Sequence, residues 1–262
     1  MRDILEDAEG AIDRGDIGPG KSNRGQDKPS FPKRFYSDVT VEETGHGFIV
    51  KLDGKSLKTP GKNDLVLPTH KTAQCVADEW AAVEDEINPL KLPITRLANT
   101  AVDGVANEMQ AVMEDITRYA ASDLLCYRAD TPEGLQDKQR EHWDPVLDWA
   151  LSEFGASFEI TTGIMSIAQP KEAIAAFGQR LKAHEDAFKL TALHTFTSIT
   201  GSAILALAIA EKFLDEDKAW QAAHVDEDWN ISQWGEDFEA AERRKQRQTD
   251  FKAAHKLFTT LG

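Results

Sequence analysis

The sequence predicts an α+β fold, with a small antiparallel β-rich N-terminal domain followed by a larger α-helical domain. Short strand patterns with turn residues fill residues 34–67, whereas helical periodicity dominates after residue 68. The strands therefore precede the helices instead of alternating with them, which excludes βαβ units around a parallel sheet. We expect a flexible tail over residues 1–33, a β-rich domain ending in a helix over 34–93, and a helical domain over 94–262.

Composition favours a protein partner over a nucleic acid. The net charge is -15, from 45 acidic against 30 basic residues, so a surface that neutralises phosphates is not expected. A basic or neutral protein partner suits this charge better. A chain of 262 residues, 41% of them hydrophobic, can also bury a substantial core.

Cysteine usage and the N-terminal residues predict a bacterial cytoplasmic protein. Cys75 and Cys126 are the two cysteines, too few for a disulfide framework, which indicates a reducing compartment. The first residues lack both an apolar signal core and the character of a mitochondrial transit peptide. The apolar stretch from Ile199 to Ala210 is shorter than the roughly 20 residues of a membrane-spanning helix. We therefore expect a buried core helix there and no membrane insertion.

The N-terminal segment mixes charged residues with glycines and prolines, a composition that cannot bury enough apolar surface to become ordered. A flexible tail is the favoured interpretation of residues 1–33, and a partner-binding arm is the alternative.

The next segment predicts three or four short antiparallel strands. Asp53-Gly54 separates the β-rich run 48–52 from residues 55–57 and is a strong hairpin signal. An earlier turn is expected at residues 45–47, and a later one at 59–63 leads into a strand over 65–67.

Helices are expected in the remainder. Thr69 is the N-cap candidate of a first helix that should stop near Ile87, before Asn88-Pro89. A long helix over 97–125 is expected to break near Asp103-Gly104. A helix from Glu133 to Phe154, kinked at Pro145 and ended by Gly155, follows. Residues 158–167 form an extended connection, and three helical segments complete the chain, over residues 172–193, 194–214 and 218–261.

Motifs of catalysis are missing from the sequence. No glycine-rich phosphate loop is present, the histidines lack the spacing of a helical metal pair, and neither cysteine has a CxxC partner. Cys126 is interpreted as a small buried hydrophobe instead of a reactive thiolate. These observations predict no phosphate loop, no metal site and no cysteine nucleophile.

An unusual segment interleaves acids with aromatic residues. Asp226-Glu227-Asp228 and Glu236-Asp237 are accompanied by Trp220, Trp229, Trp234 and Phe238. A solvated helix face is the ordinary interpretation of such acids, and a core position that of any single tryptophan. Because tryptophan is also enriched at the centre of protein interfaces, the segment as a whole is interpreted as an aromatic and acidic binding surface.

Several separated motifs, in order over residues 34–261, resemble the assembly chaperone family of the ATP synthase F1 α subunit. The motifs are Arg34-Phe35-Tyr36, residues 50–60, Glu79-Trp80, residues 92–103, Asp123-Leu124-Leu125-Cys126-Tyr127-Arg128, Trp143-Asp144-Pro145, Asp226-Glu227-Asp228-Trp229 and Gln233-Trp234-Gly235. The resemblance implies a β-rich domain joined to a helical one, no catalytic activity and no cofactor.

The resemblance also implies a role and a binding site. Such a chaperone holds the free α subunit, shields the surface that β subunits later cover, and leaves when they arrive. An acidic residue of the helical domain matters in this family, and Glu227 is its expected counterpart here. The predicted partner-binding residues are Asp226, Glu227, Asp228, Trp229, Trp234, Glu236 and Asp237.

Two other functions stay open at this point. A peptide-binding adaptor could dock extended segments on the edge of the N-terminal sheet. An enzyme could use the acidic cluster, provided that its carboxylates converge in one pocket.

Overall fold

A computed structural model describes residues 31–163 and 165–262 of the protein. Residues 1–30, which make up most of the predicted flexible tail, lie outside the described residues. Pro32 and Lys33 run antiparallel to the loop that follows the first helix. The Ile87 amide donates to the Pro32 carbonyl at 2.8 Å, and Lys33 pairs with Glu86.

The N-terminal sheet confirms the predicted hairpins. Strand β2 (Gly47–Leu52) pairs antiparallel with β1 (Val39–Thr44), β3 (Lys55–Ser56) and β4 (Val66–Leu67). The two-residue turn at Asp53 and Gly54 has φ of 47° and 79°, which suits the twist of a tight hairpin. The Asp53 carboxylate also accepts hydrogen bonds from the amides of Ser37 and Asp38.

A second, two-stranded parallel sheet forms from β5 (Tyr127–Arg128) and β6 (Thr161–Thr162). Strand β6 lies inside the segment expected as an extended connection. The expected connection over residues 158–167 therefore contains a short strand, which pairs with residues that precede the helix over Glu133–Phe154.

The first helix, α1 (His70–Ala81), begins at the predicted cap. The Thr69 hydroxyl accepts from the Thr72 amide at 3.1 Å. The predicted end near Ile87 is wrong, because the loop after Ala81 bonds to the start of the described chain. For example, the Arg34 amide donates to the Asp85 carbonyl at 2.7 Å.

The predicted break of the long helix is confirmed as a π-helical segment over Ala101–Val105, between α2 (Pro93–Thr100) and α3 (Ala106–Ala120). Its Asp103 carboxylate accepts hydrogen bonds from the Thr59 hydroxyl at 2.6 Å, the Gly61 amide at 2.8 Å and the Asn63 side chain at 2.8 Å. Burial raises the pKa of Asp103, but these bonds outweigh it and hold the pKa below its usual value.

Helix α4 (Glu133–Phe154) matches the prediction, with Pro145 inside it and Gly155 ending it at φ 70°. The prediction of three continuous helices over residues 172–193, 194–214 and 218–261 is wrong. The first two are divided into α5 (Lys171–Leu181), α6 (Ala187–Thr200) and α7 (Ala203–Ala210), and the third into α8 (Glu216–Ala223), α9 (Val225–Trp234) and α10 (Phe238–Thr260).

Local capping explains these breaks. Asp186 begins α6 by accepting from the amides of Phe188 and Lys189, each at 3.0 Å. Gly201, at φ 69°, ends α6, and the Ser202 hydroxyl accepts from the Leu205 amide to begin α7.

The apolar core is one cluster that extends from Val50 in the sheet to Leu257 in α10. Helix α7 is buried along its whole length and packs against α3, α4, α6 and α8, as expected for a core helix in this stretch. The Thr69 hydroxyl donates to the Thr260 carbonyl at 2.7 Å, so α10 also meets the start of α1. The domain boundary at residues 93 and 94 stays a prediction.

Among the helices of the described residues, none combines the length and the apolar character needed to cross a bilayer.

Two carboxylates, the half-buried Glu79 and the fully buried Asp123, link helix starts to other elements. Glu79 of α1 accepts from the amides of Ile94 and Thr95, at 2.7 and 2.8 Å, at the start of α2. Asp123 accepts from the amides of Leu125 at 3.1 Å and Ile204 at 3.0 Å, which joins the turn after α3 to the start of α7. Burial raises the pKa of Asp123 to about 6.

Asp123 should make stability depend on pH. Its folded-state pKa lies above the unfolded value, so its stabilising contribution is present at low pH and is lost as pH rises through 6. Compared with Asp123→Asn, the wild type should lose about 1 kcal/mol of unfolding free energy between about pH 5.5 and pH 7.5. Urea titrations of both proteins measure this difference, and parallel pH profiles would contradict it.

Candidate partner-binding site

Helices α9 and α10 form a helical hairpin with a three-residue turn. Gly235 ends α9 at φ 85°, and its amide donates to the Ile231 carbonyl at 2.8 Å. Asp237 begins α10 by accepting from the Ala240 amide at 2.8 Å. The acidic and aromatic segment of the sequence therefore spans a turn between two helices, where the chain reverses direction, and does not form a single helix face.

The aromatic residues of the segment have different environments. Trp234 and Phe238, on either side of the turn, are 79% and 78% exposed. Trp220 is buried, where its ring stacks on His224 at 3.8 Å between centroids. Trp229 is half-buried. Only the two residues at the turn therefore present large apolar surfaces to solvent within this segment.

A groove of about 430 Å³ lies between the two helices of the hairpin. Four predicted site residues line it: Glu227, Trp234, Glu236 and Asp237. The prediction missed the other lining residues, which are Asn230, Ile231, Gly235, Ala240, Ala241 and Arg244. Asn230 and Ile231 follow Glu227, and Ala240 and Ala241 follow Asp237, by three or four residues, and this spacing is the signal that could have revealed these four.

Asp226 and Trp229 face α4 instead of the groove. The Asp226 carboxylate accepts from the Gln139 side chain at 2.7 Å, and Gln139 is buried. The Trp229 ring lies over Gly134, so close that an added Cβ there would be 2.7 Å from ring atom Cη2. These two residues therefore fix the hairpin to the body of the protein.

The remaining acids of the cluster pair with basic residues of α10. Asp228 contacts Arg244 at 2.5 Å, and Glu227 contacts Arg247 at 3.4 Å. Glu227 also lies 3.9 Å from the buried His224, whose pKa is lowered mainly by burial. The carboxylates thus diverge to separate partners, which does not favour paired acid and base catalysis.

The described residues contain no group of three or more side chains suited to hold a metal ion. Cys126 is fully buried, as predicted, and burial raises its pKa to about 12, so its thiol is not activated.

The groove suits a partner with mixed apolar and basic character. Its floor holds Ile231, Ala240 and Ala241, and exposed carboxylates of Glu236 and Asp237 lie at its rim. The one basic side chain in its lining, Arg244, is already paired with Asp228. An aliphatic side chain with a nearby lysine or arginine would complement this surface.

Comparisons with known proteins identify relatives of the chain. Residues 33–151 match the family model described as ATP12 chaperone protein. The mitochondrial protein atp12 of Schizosaccharomyces pombe is 26% identical over 227 residues, which cover 79% of this chain and 75% of that protein.

Solved structures share this architecture over most of the chain. A protein of Agrobacterium tumefaciens, assigned as a chaperone, is 52% identical with a TM-score of 0.85, over 88% of this chain and 87% of that one. Atp12 from Paracoccus denitrificans is 36% identical with a TM-score of 0.82, over 88% and 98%. The α+β prediction is thereby confirmed, and the relatives are named as chaperones and not as enzymes.

Substituting Gly134 should loosen the hairpin. In Gly134→Ala the added Cβ would clash with the Trp229 ring, so amide hydrogen exchange over Val225–Trp234 should accelerate. Gly178→Ala is the matched control, because its Cβ would lie at an ordinary 3.7 Å from Thr117. The control should stabilise helix α5 by about 1 kcal/mol. Unchanged exchange in the Gly134 variant would contradict the contact.

Proposed function

The chain belongs to the ATP12 chaperone family, and we propose that it binds the free α subunit of the ATP synthase F1 sector before that sector is assembled. In this proposal it shields the α-subunit interface from aggregation and releases the subunit when the β subunit arrives. The family agrees with the resemblance seen in the sequence. Binding of the α subunit is more specific than membership of the family, and it is this binding that we propose.

The exposed aromatic pair at the hairpin turn is the observation that supports this function best. Trp234 and Phe238 are each almost four-fifths exposed. Large apolar side chains at the surface are typical of protein interaction sites. They adjoin the acidic groove lined by Glu227, Glu236 and Asp237. We assign these residues to the partner contact, with Asp226, Asp228 and Trp229 holding the hairpin in place.

A chaperone needs contacts that protect its client and still permit release. An unassembled subunit exposes an apolar interface, which the aromatic side chains can cover. The carboxylates then orient basic residues of the client and speed encounter more than they add affinity. This mechanism uses noncovalent contacts alone and requires no cofactor, metal, nucleic acid or small-molecule substrate.

A bacterial cytoplasmic location is part of the same proposal. It is supported by the two bacterial structures, while the relative from S. pombe is mitochondrial.

A peptide-binding adaptor is the second candidate, supported by strand β1 at an edge of the N-terminal sheet. Co-purification separates the two functions. The chaperone should retain the α subunit as one dominant client, whereas an adaptor should retain many unrelated chains.

Removing the exposed aromatics should abolish client protection. Trp234→Ser combined with Phe238→Ser deletes the apolar surface without opening the core, so melting should stay close to wild type. Co-expression with a bacterial F1 α subunit, scored as soluble client, should show a loss of at least about tenfold. Phe35→Ser, at a phenylalanine 70% exposed, is the control and should protect normally. Full protection by the double variant would contradict the proposal.

Reversing the charge of Glu227 tests the electrostatic part of the site. Its contact with Arg247 is partly exposed, and such pairs are worth about 1 kcal/mol or less, so Glu227→Lys should fold. Client protection should nevertheless fall, because a lysine would repel the basic segment. Glu239→Lys, at a carboxylate 82% exposed, is the control. If Glu227→Lys and Glu239→Lys protect the client equally, Glu227 is not part of the binding site. If Glu227→Lys unfolds, the role of Glu227 is structural.

A further inference from the structure

A second groove, of about 600 Å³, lies at the C-terminal end of α4. It is lined by Pro145, Asp148, Trp149, Ser152, Glu153, Arg180, Glu211 and Phe213. None of these residues belongs to the hairpin site described above.

The wall of this second groove is aromatic. Phe213 stacks on Trp149 with 5.1 Å between ring centroids and an angle of 13°. Trp149 is buried, whereas Phe213 is 41% exposed, so the stacked pair presents one face to solvent. The groove is therefore bordered by apolar surface that the protein itself leaves open.

The charges of the second groove favour a cation. Asp148 and Glu153 are exposed, and neither forms an ion pair with a basic side chain of the described residues. Arg180 is held by Glu211 through two contacts of 3.0 and 2.6 Å. Its positive charge is thus compensated within the wall, and two carboxylates remain to meet a partner.

Gly134 and Ser152 lie on one face of α4, so the hairpin is anchored near one end of this face and the second groove lies at the other end. Gly134, which contacts Trp229 of the hairpin, and Ser152, which lines the second groove, are separated by five complete helical turns. They are roughly 27 Å apart along the axis, at about 1.5 Å per residue. The side chains between them on this face include the exposed Glu141 and Pro145. A client that contacts both the hairpin and the second groove must therefore present a surface at least roughly this long.

We propose that the second groove binds a segment of the same client, one that carries a lysine or arginine beside an aliphatic side chain. The α subunit is then held at both ends of α4. This inference rests on the proposed function and extends it from one contact site to two. Charge complementarity selects this occupant, because a second copy of this chain would bring a net charge of -15 against an acidic groove.

Two linked sites would make holding and release compatible. When one contact is made, the second forms within the same complex at a high effective concentration. Each contact can then be weak and exchange quickly, while the pair retains the client. The β subunit could displace one contact at a time.

Charge reversal of the second groove provides the first test. Asp148→Lys with Glu153→Lys should reduce the α subunit that co-purifies by at least about tenfold, because a two-site complex loses its avidity. Glu43→Lys with Glu84→Lys changes the net charge equally at two exposed acids outside both sites, and should bind normally. Matching circular dichroism of the two double variants confirms that both are folded.

Photo-crosslinking provides the second test and identifies the occupant. A photoreactive amino acid replaces Ser152 in one protein and Glu236 in another, and each is co-expressed with a bacterial F1 α subunit. Both positions should crosslink to the client, and the peptide captured at Ser152 should contain a lysine or arginine.

The outcomes separate this inference from the proposed function. Crosslinking at Glu236 alone, with normal binding by the Asp148 and Glu153 double variant, would overturn the second site and leave the proposed function intact. Crosslinking of Ser152 to another copy of this chain would also overturn it. No crosslinking at either position, with no client retained by the wild type, would overturn both.

Discussion

The fully buried carboxylate of Asp123 lies where the turn after α3 meets the start of α7. It accepts hydrogen bonds from the turn after α3 and from the first turn of α7, the helix that α3, α4, α6 and α8 surround. Burying a charge is unfavourable, but a helix start buried without acceptors would also be unfavourable. The Asp123 carboxylate accepts hydrogen bonds from amides at the start of α7, and these bonds in turn offset the cost of burying the carboxylate. Because α3, α4, α6 and α8 all pack against α7, its position determines where these helices lie.

Carboxylates that accept hydrogen bonds from another element also occur where the sheet region meets the helices. Glu79 holds the start of α2, and Asp103 of the π-helical segment binds the turn over residues 59–63. An added Cβ at Gly61 would lie 2.8 Å from the Asp103 carboxylate, so a larger residue there would displace this carboxylate. Several motifs that carried the family resemblance thus contain structural carboxylates. The exposed Trp234 and Phe238 take no part in these links, so the proposed partner surface has no structural role in joining the elements.

The sequence predicted correctly those turns and helix ends that depend on one or two neighbouring residues. The Asp53-Gly54 turn, the Thr69 cap and the stop at Gly155 are all present. The break at Gly201 was missed because it lies within an apolar run, and the break at Asp186 was missed although Lys182, His184 and Glu185 interrupt the apolar pattern before it. Periodicity also could not separate Trp220, buried in the core, from Trp234 at the surface. That difference arises from the reversal of the chain at Gly235, which moves α10 back onto α6.

The contact between Thr69 and the carbonyl of Thr260 has a consequence for how the protein is made. Helix α10 completes a core whose other members are synthesised long before it emerges from the ribosome. Until then, the apolar faces of α2 and α6 that α10 covers are open to solvent. Contacts between such distant residues form late because loop closure must come first. The chain would thus pass through an aggregation-prone stage during its own translation.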